Sequence, residues 1–165
     1  MKQIFLLFFI MALLVTGCNE KENNMPEEMP SDFDFLIQFG VQSKNEINTF
    51  ENIVIKDLIV EGTASTEISF TEEEIKKIYQ KMREINIMEP KELMPEKTNC
   101  MQTPYEEDKW KIKLNGETQT LYRNGEYCKT TDDAQQLIEL RNYIFDLVKS
   151  KDEYKKLPEA EGGYL

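Results

Sequence analysis

The residues able to do chemistry in this 165-residue chain are carboxylates, three cysteines and scattered methionines, because the chain has no histidine. Without an imidazole there can be no Ser-His-Asp or Cys-His pair, no His general base and no His-containing zinc site. The acids gather in three places. Glu72-Glu73-Glu74 would splay around one helical turn rather than converge, and it suits the positive end of a helix dipole. Glu106-Glu107-Asp108 could lend oxygens to Ca²⁺, but no DxDxDG loop accompanies it and it reads as a solvated acidic loop. Asp132-Asp133 reads as a second helix start. Met88, Met94, Cys100 and Met101 are soft donors of the kind Cu(I) takes, yet their spacing is wide and reads as loop packing. Paired carboxylates can hydrolyse glycans, but nothing marks two acids in one cleft, and no GxSxG places a serine on a nucleophile elbow. These residues assign no catalytic group, no metal ligand and no cofactor.

Cys18 differs from the other chemical candidates because its neighbours are patterned. Lys2 forms a short positive region, and Ile4–Val15 is an unbroken run of twelve apolar residues. Twelve is too few to span a bilayer, which takes about 20, and fits a signal-peptide core of about 7–15. Val15-Thr16-Gly17-Cys18 follows directly and resembles the lipobox of bacterial lipoproteins. The resemblance implies that residues 1–17 are a signal peptide and that Cys18 is the lipidated first residue of the mature chain. It also implies that the chain is held on the extracytoplasmic face of the cell membrane by that lipid. A diacylglyceryl group supplies the two chains that stable anchoring needs, each buried CH₂ contributing about 0.8 kcal/mol. Residues 18–31 are polar, carry Pro26 and Pro30 and show no apolar period, so a disordered tether is expected there. Its reach is at most about 45 Å and roughly 20 Å on average.

Charge narrows the partners. Asp and Glu number 31 against 20 Lys and Arg, a net charge of −11 that becomes −12 once Lys2 leaves with the leader. A nucleic-acid partner is disfavoured by that balance. The chain is 40% apolar, enough to bury a core, and one domain is expected over 32–157 with a loose tail over 158–165. Outside the membrane the remaining even pair, Cys100 and Cys128, favours a disulfide. A hairpin turning at Asn115-Gly116 supports this, since it brings Cys100 and Cys128 nearly opposite each other beyond its open end.

The positioning elements follow from periodicity. Phe33, Phe35, Ile37, Phe39 and Val41 alternate as a strand apolar on one face. Gln42–Asn48 reads as a turn, Thr49–Val60 as β-rich without an assignable register, and Thr66–Phe70 as a short strand. Thr71 with Glu74 matches a capping box, and Ile75, Ile78, Tyr79, Met82 and Ile85 continue as an amphipathic helix over Glu72–Ile85. Lys109–Leu114 alternates, and with Glu117–Arg123 it forms the hairpin that sets Leu121 opposite Trp110. Thr130 or Thr131 caps a second helix striped by Leu137, Leu140, Ile144 and Leu147. The fold class is α+β: an antiparallel sheet of about five strands with two amphipathic helices on one face, in the order β-β-β-α-β-β-α.

The segments FDFLIQFGV, NTFENIVIKDL, EEEIKKIYQKM and EYKKLPEAEGGYL together look like small lipoproteins of Bacillus-type Gram-positive bacteria. That resemblance implies an envelope location and carries no activity or site residue. The function expected from the sequence is a non-enzymatic binding or interaction module of the envelope, its partner a protein, a peptide or a neutral ligand. An open sheet edge that accepts a peptide strand would need no catalytic signature. Two alternatives stand beside it: an inhibitor or immunity-type protein against an envelope hydrolase, and a carboxylate-dependent wall hydrolase.

Overall fold

A computed structural model describes residues 25–96 and 99–165. Its elements are β1 (Asp34–Val41), β2 (Asn45–Asn48), β3 (Ile53–Asp57), β4 (Thr63–Glu67), α1 (Glu72–Glu84), β5 (Glu106–Leu114), β6 (Glu117–Asn124), α2 (Asp132–Ser150) and the single turn α3 (Asp152–Lys155). The strands form one six-stranded sheet in the order β4-β3-β2-β1-β5-β6. Every neighbouring pair is antiparallel. The class is therefore α+β, with six strands where the sequence indicated five. The added strand is β2, which lies inside the segment expected to be a turn. Only its Ile47 and Asn48 are buried, so four residues, NEIN, gave too little apolar pattern to read. The expected turn holds only for its first residues, Gln42 and Ser43, at φ 58° and 55° with Ser43 N donating to Gly40 O; a second turn follows β2 at residues 49–52, with Asn52 at φ 54°.

Local chemistry sets the helices. Thr71 Oγ1 accepts a hydrogen bond from Glu74 N at 3.2 Å, and Glu74 Oε2 accepts one from Thr71 N at 2.7 Å, which completes the capping box of α1. Glu72 and Glu73 are each paired with a lysine one turn on, Lys76 and Lys77. Thr131, of the two threonines considered, caps α2 through Ala134 N at 3.1 Å.

Both long helices lie on one face of the sheet. Phe35, Ile37 and Phe39 of β1 and Trp110, Ile112 and Leu114 of β5 meet Ile78, Tyr79 and Met82 of α1 and Leu137, Leu140, Ile144 and Val148 of α2 in a single core. Burial of each such side chain stabilises by about 1.5–3 kcal/mol. The hairpin register is as expected, Trp110 opposite Leu121. Past its open end Met101 pairs with Tyr127, and Cys100 and Cys128 are joined as a disulfide. Closing that loop, of sequence separation 28, contributes about 3–4 kcal/mol in the chain-entropy view.

Two boundaries shift. Cys18 lies outside the described residues, but the far end of the expected tether does not behave as a coil. Met25 is 2% exposed and belongs to the core. Tyr79 Oη donates to Pro26 O at 2.6 Å and Arg83 Nε to Met25 O at 3.2 Å, so residues 25 and 26 strap onto α1. The tail expected to be loose over 158–165 is docked instead. Glu161 N donates to Leu58 O, Lys56 pairs with Glu159, and Tyr164 Oη donates to Asp57 Oδ2 at 2.5 Å. Burial and the nearby Glu159 push the Tyr154 hydroxyl up to about 12 beneath this tail. Hydrogen bonds hold both segments, joined by the burial of Met25 in the first and by ion pairing in the second, and neither leaves an apolar period in the sequence.

Candidate functional site on the uncovered sheet face

A strand sends alternate side chains to opposite faces, and β5 uses this to separate its chemistry. In the sequence EEDKWKIKL, Asp108, Trp110, Ile112 and Leu114 are buried toward the helices, while Lys109, Lys111 and Lys113 point the other way. On β6 the inward residues are Leu121 and Arg123, and Thr118, Thr120 and Tyr122 are exposed. The register aligns these outward residues in rows. Thr118 faces Lys113 and Asp34; Thr120 faces Lys111, Leu36 and Asn48; Tyr122 faces Lys109, Gln38 and Glu46. Both long helices sit on the opposite side, so among the described residues no helix covers this face.

Three adjacent lysines set its charge. Lys109, Lys111 and Lys113 enter no ion pair among the described residues. The carboxylates nearby are committed elsewhere. Glu46 accepts from Gln38 at 2.9 Å and from Asn48 at 3.0 Å. Asp34 accepts from Thr49 at 3.0 Å, and Glu107 accepts from Tyr122 Oη at 2.6 Å. That last bond, with burial and the negative charge of Glu107, raises the Tyr122 hydroxyl above its ordinary value. Lys111 lies over the Phe50 ring at 5.0 Å, which fixes the middle of the stripe.

The face ends at the β6 edge. Asn115 and Gly116 turn with φ 50° and 78°, a two-residue loop that makes Leu114 and Glu117 a hydrogen-bonded pair. Bonded pairs then recur at Gln119, Leu121 and Arg123, so Thr118, Thr120 and Tyr122 aim both N–H and C=O away from β5. No described residue satisfies those groups. Asp32 clamps the turn by accepting from Asn115 N at 2.9 Å and Gly116 N at 2.7 Å; these bonds, that of Gly116 first, lower its carboxyl's pKa.

Beneath the helices lies a polar network that the sequence reading did not find. Asp108, 0% exposed, binds two arginines: Arg141 Nη1 donates to its Oδ1 at 2.8 Å, and Arg123 Nε donates to its Oδ2. Arg141 Nη1 also donates to Glu106 at 2.9 Å, and its guanidinium lies over Phe39 at 5.5 Å. Burial opposes charge on Arg141, but Asp108 and Glu106 outweigh it and raise its pKa further. All the strong partners are taken, so the network joins α2 to the β5–β6 hairpin and offers no group to a ligand. The segment expected to be a solvated acidic loop is thus a strand, and alternation sends Glu107 and Asp108 to opposite faces. A readable signal was present: Asp108 has the same parity as Trp110, Ile112 and Leu114.

The remaining sequence candidates do not converge. Glu72, Glu73 and Glu74 serve their own helix and Lys151. Asp133 accepts from Glu92 N and pairs with Lys91. Met88 packs against the core, whereas Met94 and Met101 are exposed. Among the described residues no group of three or more His, Cys, Asp and Glu could hold a metal ion, and no helix is long and apolar enough to cross a membrane. A recess of about 740 Å³ between β4 and α3 is lined by Glu67, Lys151 and Glu153 among others; its two acids are exposed and its lysine is bound to Glu74. No family model matches this chain, and no curated protein or solved structure matches it.

Proposed function

We propose that this chain is a lipid-anchored, extracytoplasmic interaction module of the cell envelope. It binds an extended segment of a partner protein along β6 and works without catalysis. The observation that carries the binding half is the β6 edge, an eight-residue strand whose Thr118, Thr120 and Tyr122 present unsatisfied backbone groups beside an uncovered sheet face. Such an edge invites strand addition unless something blunts it. The usual protections are missing from its outward positions: no proline, no lysine and, among the described residues, no covering helix. The anchoring half rests on the lipobox-like Val15-Thr16-Gly17-Cys18 after its apolar run.

Cys18→Ala tests the anchor. The variant is expected in the medium or the soluble fraction, while the parent chain partitions with membranes and carries a diacylglyceryl mass increment on its first residue. Unchanged membrane retention, or a processed start with a bare thiol, refutes it.

A further inference from the structure

Resting on that reading of the β6 edge, we infer that its partner is an acidic extended peptide, carrying Glu or Asp at every second residue. A strand added to β6 runs about 4.8 Å beyond it and about 10 Å from β5. Its outward side chains fall in the rows already occupied by Thr118 with Lys113, Thr120 with Lys111 and Tyr122 with Lys109. Thr118 and Thr120 are short, so the four-carbon stem of Lys113, and that of Lys111 once it leaves the Phe50 ring that it now covers at 5.0 Å, can lean across them to a carboxylate on the added strand. Successive lysines repeat every two residues, about 6.8 Å, which is the repeat of same-face side chains on any strand. Backbone bonding and charge spacing therefore come into phase on one edge.

The chain's net charge of −11 does not decide the matter, because beyond a Debye length of about 8 Å at physiological salt distant charges are screened. Near the stripe, Asp32 on the hairpin turn already bears on Lys113 through its charge, Asp34 lies beyond Lys113 and Glu46 beyond Gln38, both on the far side from the edge, while Glu107 follows Lys109. The acidic partner is thus favoured opposite Thr118 and Thr120 and disfavoured toward Glu107. A second copy is the poorer occupant. Pairing two β6 edges would set Thr against Thr with a lysine column on each side and no carboxylate between them.

The test measures fluorescence anisotropy of fluorescein-Thr-Glu-Val-Glu-Val-Glu-Thr-amide against the full 165-residue chain in neutral detergent, with Gln-for-Glu and Lys-for-Glu peptides and inorganic polyphosphate alongside. The Glu peptide is expected to bind about fivefold more tightly than the Gln peptide, the scale of the two exposed ion pairs opposite Thr118 and Thr120. That advantage should vanish in K109Q/K111Q/K113Q and in high salt. Methylating alternate amides of the Glu peptide should abolish binding, a control that leaves the protein's folding untouched. Amide exchange at Thr118, Thr120 and Tyr122 should slow on binding. Equal binding of Glu and Gln peptides, both protecting those amides, overturns the acidic partner and leaves the edge reading standing. Polyphosphate binding more tightly than the peptide, indifferent to amide methylation, overturns it in favour of a general polyanion surface. Failure of every peptide to protect those amides overturns both readings.

Discussion

Asp108→Asn isolates the charge in the network that fastens α2 to the hairpin. Asparagine matches aspartate in volume, so no cavity opens, but Arg123 and Arg141, each 6% exposed, lose their shared anion. Glu106 keeps its bond to Arg141 at 2.9 Å but cannot serve Arg123, since its side chain is 55% exposed and stands 3.9 Å away. Removing one partner of a buried pair costs about 3–5 kcal/mol, because the other charge remains desolvated. For a domain of this size that lowers Tm by about 10–15 °C, or moves the urea midpoint by about 2 M at unchanged slope. Urea unfolding followed by tryptophan fluorescence suits the measurement, since Trp110 lies two residues along β5 on the same face. The companion variant D108L/R123M/R141M removes all three buried charges together. It is expected to be near neutral or stabilising, as apolar replacements of buried ion networks often are. A loss under about 1 kcal/mol in Asp108→Asn, or a triple variant no better than the single one, would refute the reasoning that uncompensated charge is the cost.

Two further outcomes follow from the docked segments and caps. Met25→Ala should cost about 2–5 kcal/mol, the range for truncating a fully buried large side chain; a cost under 0.5 kcal/mol by the same urea assay would return this segment to the tether. Burial opposes ionisation of Glu74, but Lys151 and the Thr71 cap hold its carboxyl below its ordinary 4.5. Its contribution is therefore present above that value and lost as pH falls through the lower folded one. Glu74→Gln should flatten the decline of Tm across that acid window, and an unchanged pH profile would count against the cap and bridge.

What could be read in the sequence depended on whether the signal was local. The Asn115-Gly116 turn fixes the hairpin register, and the same arithmetic brings Cys100 and Cys128 opposite each other. Thr71 with Glu74 marks one helix start without reference to any distant residue. The lysine stripe was equally visible, since Lys109, Lys111 and Lys113 alternate with the apolar residues of β5. Its meaning was not, because only the sheet order shows that this face is uncovered and that β6 is an edge. β2 escaped notice since a four-residue strand with polar outward positions resembles a turn. The buried arginines were beyond reach for another reason: Arg123 and Arg141 meet Asp108 only after α2 folds back over the sheet. Gly125 illustrates the same limit, as a Cβ there would lie 2.8 Å from Glu106 O, a constraint that no sequence window contains.

The central claim is that partners engage this protein along β6. A photo-crosslinking amino acid placed at Thr120 and, separately, at Gln136 on the exposed face of α2 tests it in intact envelopes. The account predicts a discrete adduct from position 120, lost when alternate-amide-capable peptide competes, and little or none from position 136. Adducts from 136 that equal or exceed those from 120, or none from 120 at all, would contradict it.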